Sequence, residues 1–312
     1  MRLLRAAAIG CLVFWLSGST ARAEAISRIV VFGDSLSDSG NVYAATKGTI
    51  PAPPYFQGRF SNGPVWVERL AAKLGVPAPT PSETGGLDYA YVSAQTGAGL
   101  SSQGTPNMLT QAALYSLGHT PAPTDLFVVW GGANDLFVTV GSNPPPNASS
   151  WVANLSGLIT GLAQKGARQF LVPNLAPLGQ IPSLRQTSQQ AEADRLSSEF
   201  NTALSAELKT LRTGLGVTVY ELDAHALFTQ AIANPAAYGL TNVTDPAYDV
   251  VSGQVVPNPQ EYMFWDTVHP TATVHAVLGD AAAAAVPEPS VAVLLTSLAI
   301  VFVLAGRPRT PQ

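Results

Sequence analysis

Four short apolar runs punctuate the chain, at residues 29–32, 126–130, 170–172 and 217–220, and longer stretches of helical periodicity separate them. The first, Ile29-Val30-Val31-Phe32, has no polar face and stops at Gly33. A strand of that kind has to be covered on both sides, which is the condition of a parallel sheet whose crossover helices supply the cover. The intervening stretches have the right pattern. Pro64 suits a first helical turn, Val65, Trp66, Leu70 and Leu74 recur along one apolar face, and Gly75 stops the run. Residues 149–165 and 187–212 continue the theme, the second with Leu196, Phe200, Leu204, Leu208 and Leu211 on one stripe. The alternation predicts an α/β fold with a mainly parallel central sheet, whose chemistry belongs at the carboxyl ends of the strands.

Both ends read as addresses. Arg2 and Arg5 precede an apolar stretch over residues 6–16, and Ala21-Arg22-Ala23 offers the small residues that signal peptidase accepts, so residues 1–23 are expected to form a signal peptide. The stretch is about half the ~20 residues of a membrane span. At the far end, Pro287-Glu288-Pro289 is followed by an apolar run from Val291 to Ala305 and then by Arg307 and Arg309. This order resembles the PEP-CTERM sorting signal of bacterial proteins, which implies recognition and cleavage by an exosortase. The alternative is a single-span anchor with positive-inside arginines. Either reading implies transient or permanent membrane association and an exported protein, at the cell surface, in the outer envelope or in the extracellular matrix. What remains, residues 24–286, suits one domain, with residues 287–312 as the sorting segment.

Without the two ends, 11 basic and 19 acidic side chains are left, and such a surface disfavours nucleic acid. The single cysteine, Cys11, falls inside the expected signal peptide, so the processed chain has no thiol for disulfides, metal ligation or nucleophilic attack. None of the four histidines, His119, His225, His269 and His275, stands in an HExxH motif or a dense ligand cluster, and no metal site is expected. His119 and His225 read as loop or surface residues, and His275 as a packing residue of the final helix.

Three segments combine into a chemistry. Directly after the first run stands Gly33-Asp34-Ser35-Leu36, where a small turn can expose the Ser35 hydroxyl. After the second comes Gly131-Gly132-Ala133-Asn134-Asp135, and Asn134 can donate an N–H to a carbonyl oxygen that gains charge. Near the C-terminus, Asp266-Thr267-Val268-His269 puts a carboxylate three residues before an imidazole, close enough to fix its tautomer and leave the other ring nitrogen for the serine. Each segment alone has a plain structural explanation, as a turn, a cap or a surface pair.

Together, in this order and at these distances, they resemble the GDSL or SGNH hydrolases. The stretches 58–67, 174–179 and 264–271 are similar to the lipase and phospholipase-like branch of that family. The resemblance implies a three-layer α/β/α sandwich, Ser35 as nucleophile, His269 as base oriented by Asp266, an oxyanion hole from the Ser35 amide and Asn134, and no cofactor. One block departs. Where the family carries a further glycine donor, this chain reads Asp88-Tyr89-Ala90-Tyr91-Val92-Ser93-Ala94, which makes Ser93 the counterpart; its backbone N–H serves if the local angles tolerate a Cβ.

The reaction implied is cleavage of carboxylic esters, of lipids or short acyl groups, through an acyl-enzyme. Two further readings follow from particular features. The sorting tail points to an esterase or acyltransferase working on acylated surface polysaccharide, and the altered 88–94 block to a non-enzymatic scaffold.

Overall fold

The computed structural model describes residues 25–143 and 146–286; the expected signal peptide and sorting segment lie outside the described residues. Four of its strands, β1 (Arg28–Gly33), β2 (Asp125–Trp130), β3 (Gln169–Pro173) and β4 (Thr218–Leu222), form one parallel sheet in that order. They are the four apolar runs. In β2 every residue is buried, and in β1 all but Arg28.

The helices of the described residues are α1 (Asn41–Ala45), α2 (Trp66–Leu74), α3 (Met108–Gly118), α4 (Ala133–Thr139), α5 (Ser149–Gln164), α6 (Gln190–Leu215), α7 (Ala224–Ala233) and α8 (Ala272–Ala285), of which α2, α5 and α6 fall on the periodic stretches. Two small sheets sit beside the main one: β5 (Asn242–Pro246) pairs with β8 (Tyr262–Phe264), and β6 (Tyr248–Asp249) with β7 (Gln254–Val255). The helix expected from Pro64 starts slightly later. Val65 is its N-cap and Pro64 lies outside, because the Glu68 carboxylate reaches back to accept the Val65 N–H at 2.8 Å and sets the boundary there. Gly75 ends the helix in the left-handed conformation, φ 66°.

The winding of the chain locates the functional edge. From β1 the chain passes through α2 to residues 87–89, which run beside β1 on its free side: Val31 N–H donates to Leu87 C=O at 2.9 Å and Tyr89 N–H to Val31 C=O at 2.8 Å. It then crosses back through α3 to β2 and continues outward to β3 and β4. Right-handed crossovers in two opposite directions put α2 on one face and α3, α5 and α6 on the other. Helix α8 packs along α2 to complete the first layer, giving a three-layer α/β/α sandwich. The direction reverses at β1, and its carboxyl end is the switch point where such sheets open a crevice.

The core lies between sheet and helices. Phe200, on the α6 stripe, is fully buried, faces Trp151 of α5 at 6.4 Å between ring centroids, and closes over Gly132 at the end of β2. Phe200→Ala is expected to lower unfolding stability by about 3–5 kcal/mol, the usual cost of removing a core aromatic ring. Urea denaturation followed by tryptophan fluorescence measures it, and a loss below about 1 kcal/mol would contradict this packing.

Candidate active site

The site begins where β1 runs out. Gly33 has no room for a side chain, since a Cβ there would stand 2.7 Å from the Trp130 carbonyl oxygen at the end of β2. Its buried backbone groups are met by buried Gln111, whose amide accepts the Gly33 N–H at 3.0 Å and donates to the Gly33 C=O at 2.9 Å. The chain then turns tightly, with the Asp34 carbonyl accepting from Ser37 N–H and Asp38 N–H at 3.0 and 3.1 Å. Two fully buried carboxylates staple this turn. Asp38 accepts the N–H groups of Gly40 and Asn41 at 2.7 and 2.6 Å, and Asp88 accepts that of Ser39 at 2.7 Å. Asn41 completes the staple by donating to the carbonyls of Asp88 and Ala90. The result is a rigid loop carrying Ser35 at the sheet edge.

The structure brings Ser35, His269 and Asp266 into one line. His269 Nε2 lies 2.9 Å from Ser35 Oγ, and His269 Nδ1 lies 2.7 Å from Asp266 Oδ2. Asp266 Oδ1 accepts the N–H groups of Val268 and His269 at 2.8 and 2.7 Å, which folds the Asp-x-x-His segment on itself. The stretch at 58–67 gains a physical role here. Ser61 Oγ donates to the Pro270 carbonyl at 2.9 Å, Asn62 Oδ1 accepts the Ala272 N–H at 2.7 Å, and the Trp66 N–H points at His275 Nδ1 at 3.3 Å. Buried His275 is thus a packing partner, as its place on the last helix suggested. Half-buried His119 stacks on Tyr115, 5.1 Å between centroids. His225, expected in a loop or at the surface, is a part-exposed residue in the first turn of α7, where Asn174 Oδ1 accepts its backbone N–H.

Asn134 and Ser93 join Ser35 and His269 around a cleft of about 330 Å³, lined mainly by apolar groups including Leu36, Phe60 and Phe137. Asn134 is the second residue of α4, and its side-chain amide donates to the Ala94 carbonyl at 3.0 Å, which orients the group and ties it to the Ser93 segment. Ser93 has φ 61°, the left-handed region that favours glycine. The backbone therefore takes the shape a glycine would take, with a serine carrying the strain.

Two carboxylates in the site sit at opposite extremes. Burial alone would raise Asp266, but the His269 charge, the hydrogen bonds from His269 and that from Tyr55 outweigh it and lower its pKa to about 2. Asp34, beside the nucleophile, is raised to about 6 by burial, against the opposing pull of the Leu36 N–H and the His269 charge. His269 itself is pushed down by burial, and the Asp266 charge and hydrogen bond, with Asp34 behind them, reverse this and raise it above its ordinary value.

Sequence reasoning missed Tyr55, Asp34 and Gln111. Tyr55 O–H donates to Asp266 Oδ2 at 2.7 Å, the oxygen that also faces His269, and its ring packs edge-on against Trp265 and Tyr248. It lies 211 positions from Asp266, in a proline-rich loop with no periodicity, and no local pattern marks it.

Comparison with known proteins shows the family. Residues 29–282 match the family described as GDSL-like Lipase/Acylhydrolase. The chain belongs to that family. A phosphatidylcholine-sterol acyltransferase of Aeromonas hydrophila is 30% identical over 305 residues, covering 83% of this chain and 90% of that protein. A thermolabile hemolysin of Vibrio parahaemolyticus is 28% identical over 280 residues, covering 84% of this chain but 64% of the hemolysin. Among solved structures, Est24, a carbohydrate acetylesterase from Sinorhizobium meliloti, gives a TM-score of 0.48 at 19% identity, over 86% of this chain and 99% of that one. This GDSL hydrolase is an enzyme of the esterase and lipase type.

A base must be neutral to accept a proton, so a raised His269 pKa moves the acid limb of kcat/KM above about 6.5, the ordinary histidine value. Asp266→Asn removes the charge that raises it. The limb is expected to move to lower pH and the plateau to fall by roughly 10⁴. A pH–rate profile in which the two limbs coincide would separate Asp266 from the titration of His269.

Proposed function

We propose that this GDSL hydrolase is an exported serine esterase that cleaves carboxylic esters through an acyl-enzyme on Ser35. The observation that carries the reading is the unbroken hydrogen-bonded line from Ser35 Oγ through His269 to Asp266. Ser35 Oγ attacks the carbonyl carbon while its proton passes to His269 Nε2, and the carbonyl oxygen takes the negative charge. The Ser35 and Ser93 N–H groups and the Asn134 amide stabilise that oxygen, a contribution of roughly 3 kcal/mol per donor in comparable sites. Collapse breaks the carbon–oxygen bond of the ester, and the alcohol leaves with the proton from His269. Water, deprotonated by the same imidazole, then attacks the acyl-enzyme and releases the acid and free Ser35.

A second reading, acyl transfer, differs only in the acceptor: an alcohol in place of water gives a new ester. It is favoured by the acyltransferase of Aeromonas hydrophila, of whose length 90% is covered. Acylated polysaccharide at the cell surface fits either reaction as a substrate.

Export and surface display rest on residues 1–23 and 287–312, with an exosortase as the processing partner.

A fluorophosphonate probe is expected to label the wild-type protein and not Ser35→Ala; equal labelling of both would remove Ser35 from the reaction. Ser93→Gly is expected to retain at least wild-type kcat on a nitrophenyl ester, because the N–H stays and the strain at φ 61° goes. Ser93→Pro, which lacks the N–H and cannot adopt a positive φ, should lose about tenfold or more. Equal rates for the two variants would exclude Ser93 from the oxyanion hole.

A further inference from the structure

The cleft does not end at Ser35. It continues into a second, more enclosed chamber of about 30 Å³, and Asp34, Leu36, Ala133, Leu178 and Val268 line both spaces. The far wall of the chamber is carbon: Leu175, Ile181 and Phe228, all buried, with the Trp130 ring beside them. The Trp130 indole N–H is already engaged with the Asn174 carbonyl at 3.1 Å, so it asks for no polar partner. With Asp34 the one charged group of its lining and the rest of its wall carbon, the chamber favours an apolar group over water.

Once Ser35 has attacked, three substituents of the former carbonyl carbon need places. Its oxygen goes to the donors at Ser35, Ser93 and Asn134. The leaving oxygen has to lie within reach of His269 Nε2, and the alcohol behind it has the open part of the cleft, where Tyr55 and Gln103 offer polar contacts. The carbon chain of the acid takes the path that remains, past Leu36 and Leu178. We infer that this chamber is the acyl subsite and that it selects short, unbranched acyl groups. The inference rests on Ser35 being the nucleophile. Size sets the selection: the chamber adds about 30 Å³ at the end of the acyl path, room for about one methyl-sized group, so a short chain whose end reaches it past Leu36 is accommodated and a longer one has to displace the buried wall.

The test is a series of nitrophenyl esters, acetate, butyrate, hexanoate and octanoate, hydrolysed by the full chain. For the wild type, kcat/KM is expected to fall at least tenfold from butyrate to octanoate. Phe228→Ala and Ile181→Ala open the far wall and should raise the octanoate-to-butyrate ratio at least tenfold. Ala176→Leu fills the chamber and should lower the butyrate-to-acetate ratio by a similar factor. Ile181→Val, a milder change, keeps the comparison available if a larger truncation fails to fold, with at least a threefold rise expected. Ratios within twofold of wild type in folded variants that still react with the fluorophosphonate would overturn the subsite and leave the esterase intact. Failure of the esterase reading looks different: the wild type neither reacts with the fluorophosphonate nor hydrolyses any ester, and the subsite falls with it.

Discussion

A hydrogen bond between an imidazole and a hydroxyl 234 positions apart organises this molecule. It closes at 2.9 Å only because each partner is immobilised by a different part of the fold. The serine is held by the turn after β1, with buried carboxylates gathering the backbone N–H groups of residues 39–42. The histidine is held by the segment at 61–66, which clasps the backbone of residues 270 and 272 while α8 lies along α2. Side chains in a close-packed interior transmit small displacements, so the clasp and the helix pair govern the distance between the two reacting groups as directly as the groups themselves.

The same carboxylate chemistry does opposite things within this small volume. Asp266 meets an imidazole, two backbone N–H groups and a tyrosine hydroxyl, and its charged form wins over burial. Asp34 meets one good N–H donor and a long contact from Asn134 at 3.5 Å, and burial wins. The adjacent His269 charge, with the hydrogen bonds from His269 and Tyr55, decides for the charged form at Asp266. Asp38 follows Asp34, raised to about 7 by burial even with two short N–H contacts. Crowding buried acids at the end of β1 costs stability, and the return is a loop that cannot relax away from the sheet.

Much of this was legible before any coordinates. The four apolar runs are the four main strands, Gly75 ends its helix, and the stripe on residues 196–211 lies in the core. Ser35, Asn134, Asp266 and His269 stood out because each follows a strand or sits in a short, chemically distinctive spacing. Tyr55 and Gln111 did not, because nothing nearby in the sequence distinguishes a tyrosine in a proline-rich loop, or a glutamine on an amphipathic helix, from its neighbours. The helix boundary lies one step past Pro64, since it depends on the reach of the Glu68 side chain.

Local pattern therefore determined the secondary structure, the class of sheet and the set of reactive residues, because periodicity, turn chemistry and short motifs are properties of neighbouring positions. Tertiary structure decided the distances across the site, the opposite pKa directions of Asp34 and Asp266, the left-handed backbone at Ser93 and the enclosed chamber beyond Leu36. Each of these depends on groups far apart in the chain sharing one desolvated space, and burial is a quantity that no single segment possesses.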